Sequence, residues 1–289
     1  MEVWFLLALG ASISIAITHV FDKILTNYVN AQLLPAIKKA INGTILLLVS
    51  VFFFSFNIPL SAHFWIFIAI LVSLDIFSTL SYFAGIEKGE VSKLICYNDS
   101  LLVVLTFLFG VLFLSESVTF FNGVGVFLIA LGSYTVLSDG KIVVPDRTQA
   151  LELITISAFL WAIFNLTVKV AVGSFPPYLL AMLIYFVGDP FLWGYNIKEN
   201  REEIRNIKET FNLKLVLVLI VACIGSSLTS LMTYFALKIG NASLVLPVVY
   251  SSPLFTVILS GRILKEKRIG LRILGASLVV LGIFGVYFF

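Results

Sequence analysis

Long apolar stretches separated by short polar connections run through the entire chain. Ten of them approach or exceed the roughly 20 residues with which a helix crosses the hydrocarbon core of a bilayer. They cover residues 3–22, 33–56, 63–84, 93–114, 119–138, 151–172, 177–196, 214–237, 242–261 and 269–288. The alternating ten-residue segments typical of membrane barrels do not occur. The pattern therefore predicts an all-α integral membrane protein with ten transmembrane helices.

The second half of the chain repeats the skeleton of the first. The stretch from Tyr82 to Leu137 resembles the stretch from Tyr234 to Tyr287, and three pairs match at a spacing of 150 residues: Glu116 with Glu266, Gly125 with Gly275, and Gly132 with Gly282. We predict one five-helix repeat at residues 1–138, a linker at 139–150 and a second repeat at 151–289. Because five is odd, the two repeats would cross the membrane in opposite directions, as in many secondary transporters.

The composition agrees with an integral membrane protein and disagrees with a soluble domain. The chain is 60% hydrophobic and 12% charged, whereas soluble domains carry about 25% charged residues. The net charge of +3 is small and indicates no nucleic-acid partner. We find no ligand spacing for a metal, no nucleotide-binding loop and no nucleophile triad, so we expect no cofactor and no enzymatic activity. The connection at residues 196–214 mixes apolar and charged positions, as either an amphipathic interfacial helix or a solvated connector would.

The basic residues predict an orientation in the membrane. All but two of the 19 Lys and Arg residues, the exceptions being Lys169 and Lys238, fall on the connections after odd-numbered segments or on their flanks. Since Lys and Arg favour the cytoplasmic side, this places both termini outside the cell.

Polar residues within the apolar segments are the candidates for a substrate site, because they are costly in a bilayer and usually face a cavity. The third segment carries one polar stripe at helical spacing, and the eighth carries its counterpart. Asp75 has no acidic counterpart in the second stripe, so we expect it to bind a substrate amine or to titrate; the alternative is a structural ion pair with a lysine. The two stripes, read as the walls of a central pathway, comprise Asp75, Ser78, Thr79, Tyr82, Ser227, Ser230 and Tyr234.

Other segments add candidates for the same site. His19 titrates near neutral pH, although a lone histidine is more often a packing residue. Pro247 and Pro253 predict a kink in the ninth segment. Lys38 and Lys39 either attract an anionic group of the substrate or anchor the chain to the cytoplasmic side. Asp189 is a further candidate for the site, ranked below Asp75. The remaining candidate substrate contacts are Tyr97, Asn98, Asn165 and Tyr250.

The repeated glutamates and glycines of the two halves resemble those of the EamA-type transporter family of the drug/metabolite transporter superfamily. The resemblance lies in a pattern of proline, apolar span, Leu-x-Glu and Gly-x6-Gly, which the second repeat supplies as Pro253, Glu266, Gly275 and Gly282. The first repeat has Val103 in place of the proline, so its fourth helix is expected to lack the kink. Trp161, Ala162 and Lys169 resemble the family's Trp-Gly with a downstream lysine. The family's cytoplasmic termini disagree with the charge count, so orientation stays open.

Physical roles follow for the repeated positions. Paired glycines two turns apart let helix backbones approach closely, so we expect packing seams at Gly125/Gly132 and at Gly275/Gly282. Glu116 and Glu266 are expected to cap the helix that follows each of them, and Lys169 to extend to the headgroups.

The resemblance implies a multi-pass transporter in the cell membrane, monomeric or homodimeric, that exports amino acids or related amphipathic solutes by alternating access. One alternative is a proton-coupled multidrug exporter, with protons as a further ligand. The other is a membrane receptor or assembly protein that transports nothing.

Overall fold

The computed structural model describes residues 2–30, 32–54, 57–88, 91–137, 149–263 and 270–288, and throughout these residues the regular secondary structure is helical. The helices of the first half are α1 (Val3–Leu25), α2 (Leu33–Phe53), α3 (Ala62–Glu87), α4 (Val91–Leu114) and α5 (Phe120–Leu137). Those of the second half are α6 (Gln149–Ser174), α7 (Pro177–Glu199), α8 (Arg201–Thr210), α9 (Leu213–Ile239), α10 (Ala242–Val249), α11 (Pro253–Ile263) and α12 (Gly270–Phe288).

Within the described residues, seven helices are long and apolar enough to cross a membrane: α1, α2, α3, α4, α6, α7 and α9. Shorter apolar stretches at Phe120–Thr135, Ala242–Thr256 and Leu274–Phe288 lie in α5, in α10 with the start of α11, and in α12. The prediction of an all-helical protein is therefore confirmed for the described chain, whereas the count of ten spans stays a prediction.

The ninth predicted segment is broken into two helices. α10 ends at Val249 and α11 begins at Pro253, where a proline costs no hydrogen bond because the first N–H groups of a helix lack an intrahelical partner. The predicted proline kink is thus a break over Tyr250–Ser252. α4, with Val103 in the corresponding place, is one continuous helix as expected.

Helices of the two halves pack against each other in a regular scheme. α1 lies against α9, α3 against α6, α2 against α7, and α5 against α12. In addition, α4 contacts α6, and both α10 and α11 contact α1. The largest cluster of buried apolar side chains draws on both halves, with Phe64, Leu179 and Val245 among its members.

The predicted glycine seams meet each other between α5 and α12. A methyl group built on Gly125 would lie 2.7 Å from the carbonyl oxygen of Gly282, and one built on Gly132 would lie 2.6 Å from that of Gly275. A side chain at either place would collide with the backbone of the facing helix. The predicted role of the glycines in close helix packing is confirmed.

Two expectations for charged residues are corrected. Glu116 does not cap the helix that follows it; its two carboxylate oxygens accept hydrogen bonds from the backbone N–H groups of Ala242 and Ser243, both at 2.7 Å, at the start of α10. Thr119 and Asn122 fill the capping role at α5 through reciprocal bonds. Glu266 lies outside the described residues.

Lys169 also differs from its prediction. Its ammonium donates to the carbonyl oxygens of Leu237 and Gly240, at 2.8 and 2.7 Å, at the end of α9. The side chain therefore satisfies carbonyls that lack a helical partner instead of extending to the headgroups.

The connection at residues 196–214 contains the short helix α8, so the helical alternative is confirmed. Ile204 and, just after the helix, Phe211 pack against a cluster of buried apolar side chains that includes Leu33 and Leu215, whereas Glu202 is exposed. Placement of α8 at a membrane interface stays a prediction.

Candidate functional site

A cavity of about 210 Å³ lies between the two halves of the molecule. Side chains from α1, α2, α3 and α4 of the first half line it together with side chains from α6, α7, α9 and α10 of the second. Tyr250, in the break between α10 and α11, also faces it. The break therefore borders the cavity.

The cavity brings together most of the residues predicted for the substrate site. Three others lie in helix contacts: the Ser78 hydroxyl donates to the Leu74 carbonyl within α3, the Tyr97 hydroxyl lies 3.3 Å from that of Thr155, and the Ser227 hydroxyl donates to Asn42. Asp189 does not line the cavity, whereas Lys38 and Lys39 do. The predicted residues that line it are His19, Asp75, Thr79, Tyr82, Asn98, Asn165, Ser230, Tyr234 and Tyr250.

Two buried ion pairs form one wall of the cavity. The Lys38 ammonium donates to both carboxylate oxygens of Asp22, each at 2.6 Å. The neighbouring Lys39 pairs with Asp75 and lies 5.7 Å from the ring centroid of Tyr185. Since a buried charge is stable only when it is paired, each lysine neutralises one aspartate. Asp75 thus has the lysine partner considered as the alternative to substrate binding.

A third aspartate that lines the cavity, Asp99 on α4, has different neighbours. Its Oδ2 accepts a hydrogen bond of 2.7 Å from Ser252, in the break before α11, and its Oδ1 accepts one of 3.3 Å from Asn98. The nearest basic group in the described chain is the imidazole of His19, with Nδ1 4.0 Å from Oδ2. Asp99 is 1% exposed.

Several polar atoms of the cavity wall have no hydrogen-bond partner within the protein. They are Nδ1 of His19, Oδ1 of Asn98 and the hydroxyls of Thr229 and Thr233. A buried polar atom without a partner costs free energy comparable to a lost hydrogen bond. All four atoms are buried in this state of the cavity, so a polar solute would reach them only after small movements of these side chains.

Hydrogen bonds and ring contacts hold the remaining wall. The Asn165 amide donates to the Tyr250 hydroxyl at 2.7 Å, and the Tyr185 hydroxyl lies 3.0 Å from that of Ser230. The rings of Tyr82 and Trp161 pack with their centroids 5.2 Å apart. The cavity thus combines polar groups with an apolar, aromatic surface.

Sequence reasoning missed part of this wall. Asn42, Asp99, Tyr185, Thr229 and Thr233 line the cavity but were not predicted as site residues. The signal was present for the threonines, because Ser226, Thr229 and Thr233 repeat at helical spacing beside the predicted stripe of α9. In the described part of the chain, no group of three or more His, Cys, Asp or Glu side chains is arranged to hold a metal ion.

Comparison with known proteins identifies the family. A search of curated proteins finds no match. One crystal structure has a TM-score of 0.71 over 96% of both chains at 15% sequence identity, a likeness of fold alone. A sequence model of the EamA-like transporter family matches residues 2–138 and 149–288. The protein is therefore a multi-pass membrane protein that belongs to the EamA-like transporter family of the drug/metabolite transporter superfamily.

Proposed function

We propose that the protein is a secondary transporter that exports a small amphipathic metabolite, such as an amino acid or a relative, across the cell membrane. The observation that carries the proposal is the cavity between the two halves, with unpartnered polar atoms and aromatic rings in one wall. Membership of a transporter family supports the same function, and the export direction rests on the resemblance to that family.

We further propose ten transmembrane spans arranged as two inverted five-helix repeats. The helix contacts support this arrangement. When the two halves are exchanged, α1 corresponds to α6 and α3 corresponds to α9, so the contact of α1 with α9 becomes the contact of α6 with α3. The contacts of α2 with α7 and of α5 with α12 are unchanged by the exchange. A molecule with this internal symmetry can open its central cavity to one side or the other when one half rocks against the other, which is alternating access.

The broken helix supports movement at the site. Substrate sites of secondary transporters are often formed by discontinuous helices near the midplane. Here the break over Tyr250–Ser252 adjoins the cavity: Tyr250 lines it and accepts a hydrogen bond from Asn165, and Ser252 donates one to Asp99, which also lines it.

The cavity bears on the alternatives. Drug-sized ligands occupy pockets of about 300–1,000 Å³, and this cavity is smaller at about 210 Å³, which favours a small metabolite over a multidrug substrate. An assembly protein that binds no solute has no use for unpartnered polar atoms in its interior, since they cost stability. A receptor would bind a solute in the same cavity without moving it across the membrane, and the flux measurement separates that function from transport.

Flux measurements test the proposal. Purified protein in proteoliposomes should move at least one radiolabelled solute of an amino acid and amine panel with saturable kinetics. A bulky side chain in the cavity, Ser230→Phe, should reduce that flux at least about tenfold, because it fills space of about 210 Å³. Leu228→Phe lies on the exposed side of the same helix and should leave the flux unchanged. Absence of flux for every solute, from protein with an intact thermal unfolding transition, would contradict the transport function.

A further inference from the structure

The charged side chains that line the cavity do not balance. They comprise two lysines, Lys38 and Lys39, and three aspartates, Asp22, Asp75 and Asp99. Each lysine is already paired with one aspartate. Asp99 is therefore the one aspartate lining the cavity that no lysine neutralises within the described chain.

A buried carboxyl group without a basic partner either holds a proton or pairs with a cation. Asp99 is 1% exposed and receives hydrogen bonds only from neutral donors, Ser252 and Asn98. No lysine or arginine of the described chain lies within 4.0 Å of it. Since burying an unpaired charge costs many kcal/mol, a positively charged group of a solute would complete the site.

The atoms around Asp99 fit an ammonium group. An ammonium has three donors and no acceptor, so it needs several acceptors close together. Besides its carboxylate oxygens, Asp99 has a neighbour with an unpartnered acceptor, Oδ1 of Asn98. The imidazole of His19 links this group of acceptors to the aromatic wall, because its ring stacks with that of Tyr82 at 6.5 Å, and Tyr82 packs on Trp161. Aromatic faces attract cations and accommodate an apolar body.

The cavity offers little to a carboxylate. Both ammonium groups of the cavity are taken up by Asp22 and Asp75, so an anionic solute would have to break a buried ion pair. A zwitterion would gain binding free energy from its ammonium group at Asp99. It would lose part of that gain because its carboxylate would be buried without a cationic partner.

Resting on the proposed transport function, we propose that Asp99 is the specificity-determining residue of this site and that it selects small primary amines with an apolar body. Asn98 assists as the second acceptor. Asp75 serves to neutralise Lys39 and does not bind the amine.

Three probes of nearly the same shape test the substrate class. Phenethylamine carries only the ammonium, phenylalanine carries both charges, and 3-phenylpropionate carries only the carboxylate. Isothermal titration of the wild-type protein in detergent should give affinities in that order, with phenethylamine at least about tenfold tighter than 3-phenylpropionate, the difference of one charge-assisted hydrogen bond. Equal affinities, the reverse order, or no binding of phenethylamine to folded protein would overturn the proposal.

Matched variants test the residue. Asp99→Asn keeps the size of the side chain and should lower the affinity for phenethylamine about ten- to a hundredfold. The thermal unfolding transition of this variant should stay intact. Asp189→Asn removes a carboxylate that does not line the cavity and should bind phenethylamine like the wild type. Phenethylamine affinity that survives Asp99→Asn but is lost in Lys39→Met/Asp75→Asn would overturn the assignment in favour of Asp75.

Flux separates this proposal from the one it rests on. If phenethylamine binds through Asp99 but no solute crosses the proteoliposome membrane, the transport function fails and the amine site stands. If neutral or anionic solutes are transported at rates that Asp99→Asn does not change, transport stands and the amine proposal is overturned.

Discussion

The glycine seam between α5 and α12 allows a quantitative test of the fold. In Gly132→Ala the new methyl group would lie 2.6 Å from the carbonyl oxygen of Gly275 and 2.7 Å from the backbone nitrogen of Val279. Both atoms belong to the backbone of the facing helix and cannot rotate away. Ordinary van der Waals contact begins near 3.4 Å, so the helices would have to separate by roughly 0.8 Å. Overpacking of this kind costs about 1–3 kcal/mol.

Gly123 provides a control in the same helix. A methyl group there would meet only the ring of Phe107, at 3.9 Å. Replacing glycine by alanine within a helix also favours folding by about 1 kcal/mol through helix propensity, and this gain is common to both variants. The difference in unfolding free energy between Gly132→Ala and Gly123→Ala therefore isolates the steric cost, about 1–3 kcal/mol.

Thermal unfolding in detergent measures that difference. By the scaling of soluble domains, 1 kcal/mol corresponds to about 2–4 °C in Tm, so Gly132→Ala should melt several degrees below Gly123→Ala. Gly125→Ala should behave like Gly132→Ala, since its methyl group would lie 2.7 Å from the backbone of Gly282. Equal melting temperatures for Gly132→Ala and Gly123→Ala would refute the close approach of the two helices.

Two further predictions concern charged side chains that are bonded within the protein, and both are checked by the same unfolding assay. Glu116→Ala removes both acceptors at the start of α10 and should destabilise the protein by about 1–3 kcal/mol. Glu202→Ala, at an exposed position of α8, is the control and should change the stability by less than about 0.5 kcal/mol. Equal effects of the two substitutions would contradict the capping contact. Lys38→Met leaves Asp22 buried without its partner and should lower the unfolding free energy by about 3–5 kcal/mol. Lys38→Met combined with Asp22→Leu should be nearly neutral. A double variant as unstable as the single one would contradict the view that Lys38 and Asp22 chiefly neutralise each other.

The candidate site could be predicted in part because polar residues in an apolar helix reveal the side that faces a cavity. Asp75, Thr79 and Tyr82 share one side of α3, and all three line the cavity. Ser78 has the same spacing but lies at the contact of α3 with α6, where its carbonyl accepts a bond from Ser157. A stripe on a helix is wider than the cavity it borders, and only the neighbouring helix decides which members reach it.

The partners of the charged residues could not be predicted. Asp75 was distinguished because its counterpart in the other repeat is a serine, but this comparison contains no information about distance. In the folded chain Asp75 lies next to Lys39, whereas the polar partners of Asp99 among the described residues are Ser252, Asn98 and His19. The aspartate that no lysine neutralises is therefore a different residue than the sequence indicated.

The sequence by itself determined the helical segments, the repeat of the two halves and the positions of the glycine seams, because each of these follows from local hydrophobicity, from spacing or from the absence of a side chain. Tertiary structure alone decided that Glu116 caps α10 in the opposite half, that Lys169 caps α9, and that Asp99, of the three aspartates that line the cavity, has no lysine partner in the described chain. The physical reason is that a charge acts over a few ångströms on groups more than a hundred residues away in the chain, and only the packing of the helices sets those distances.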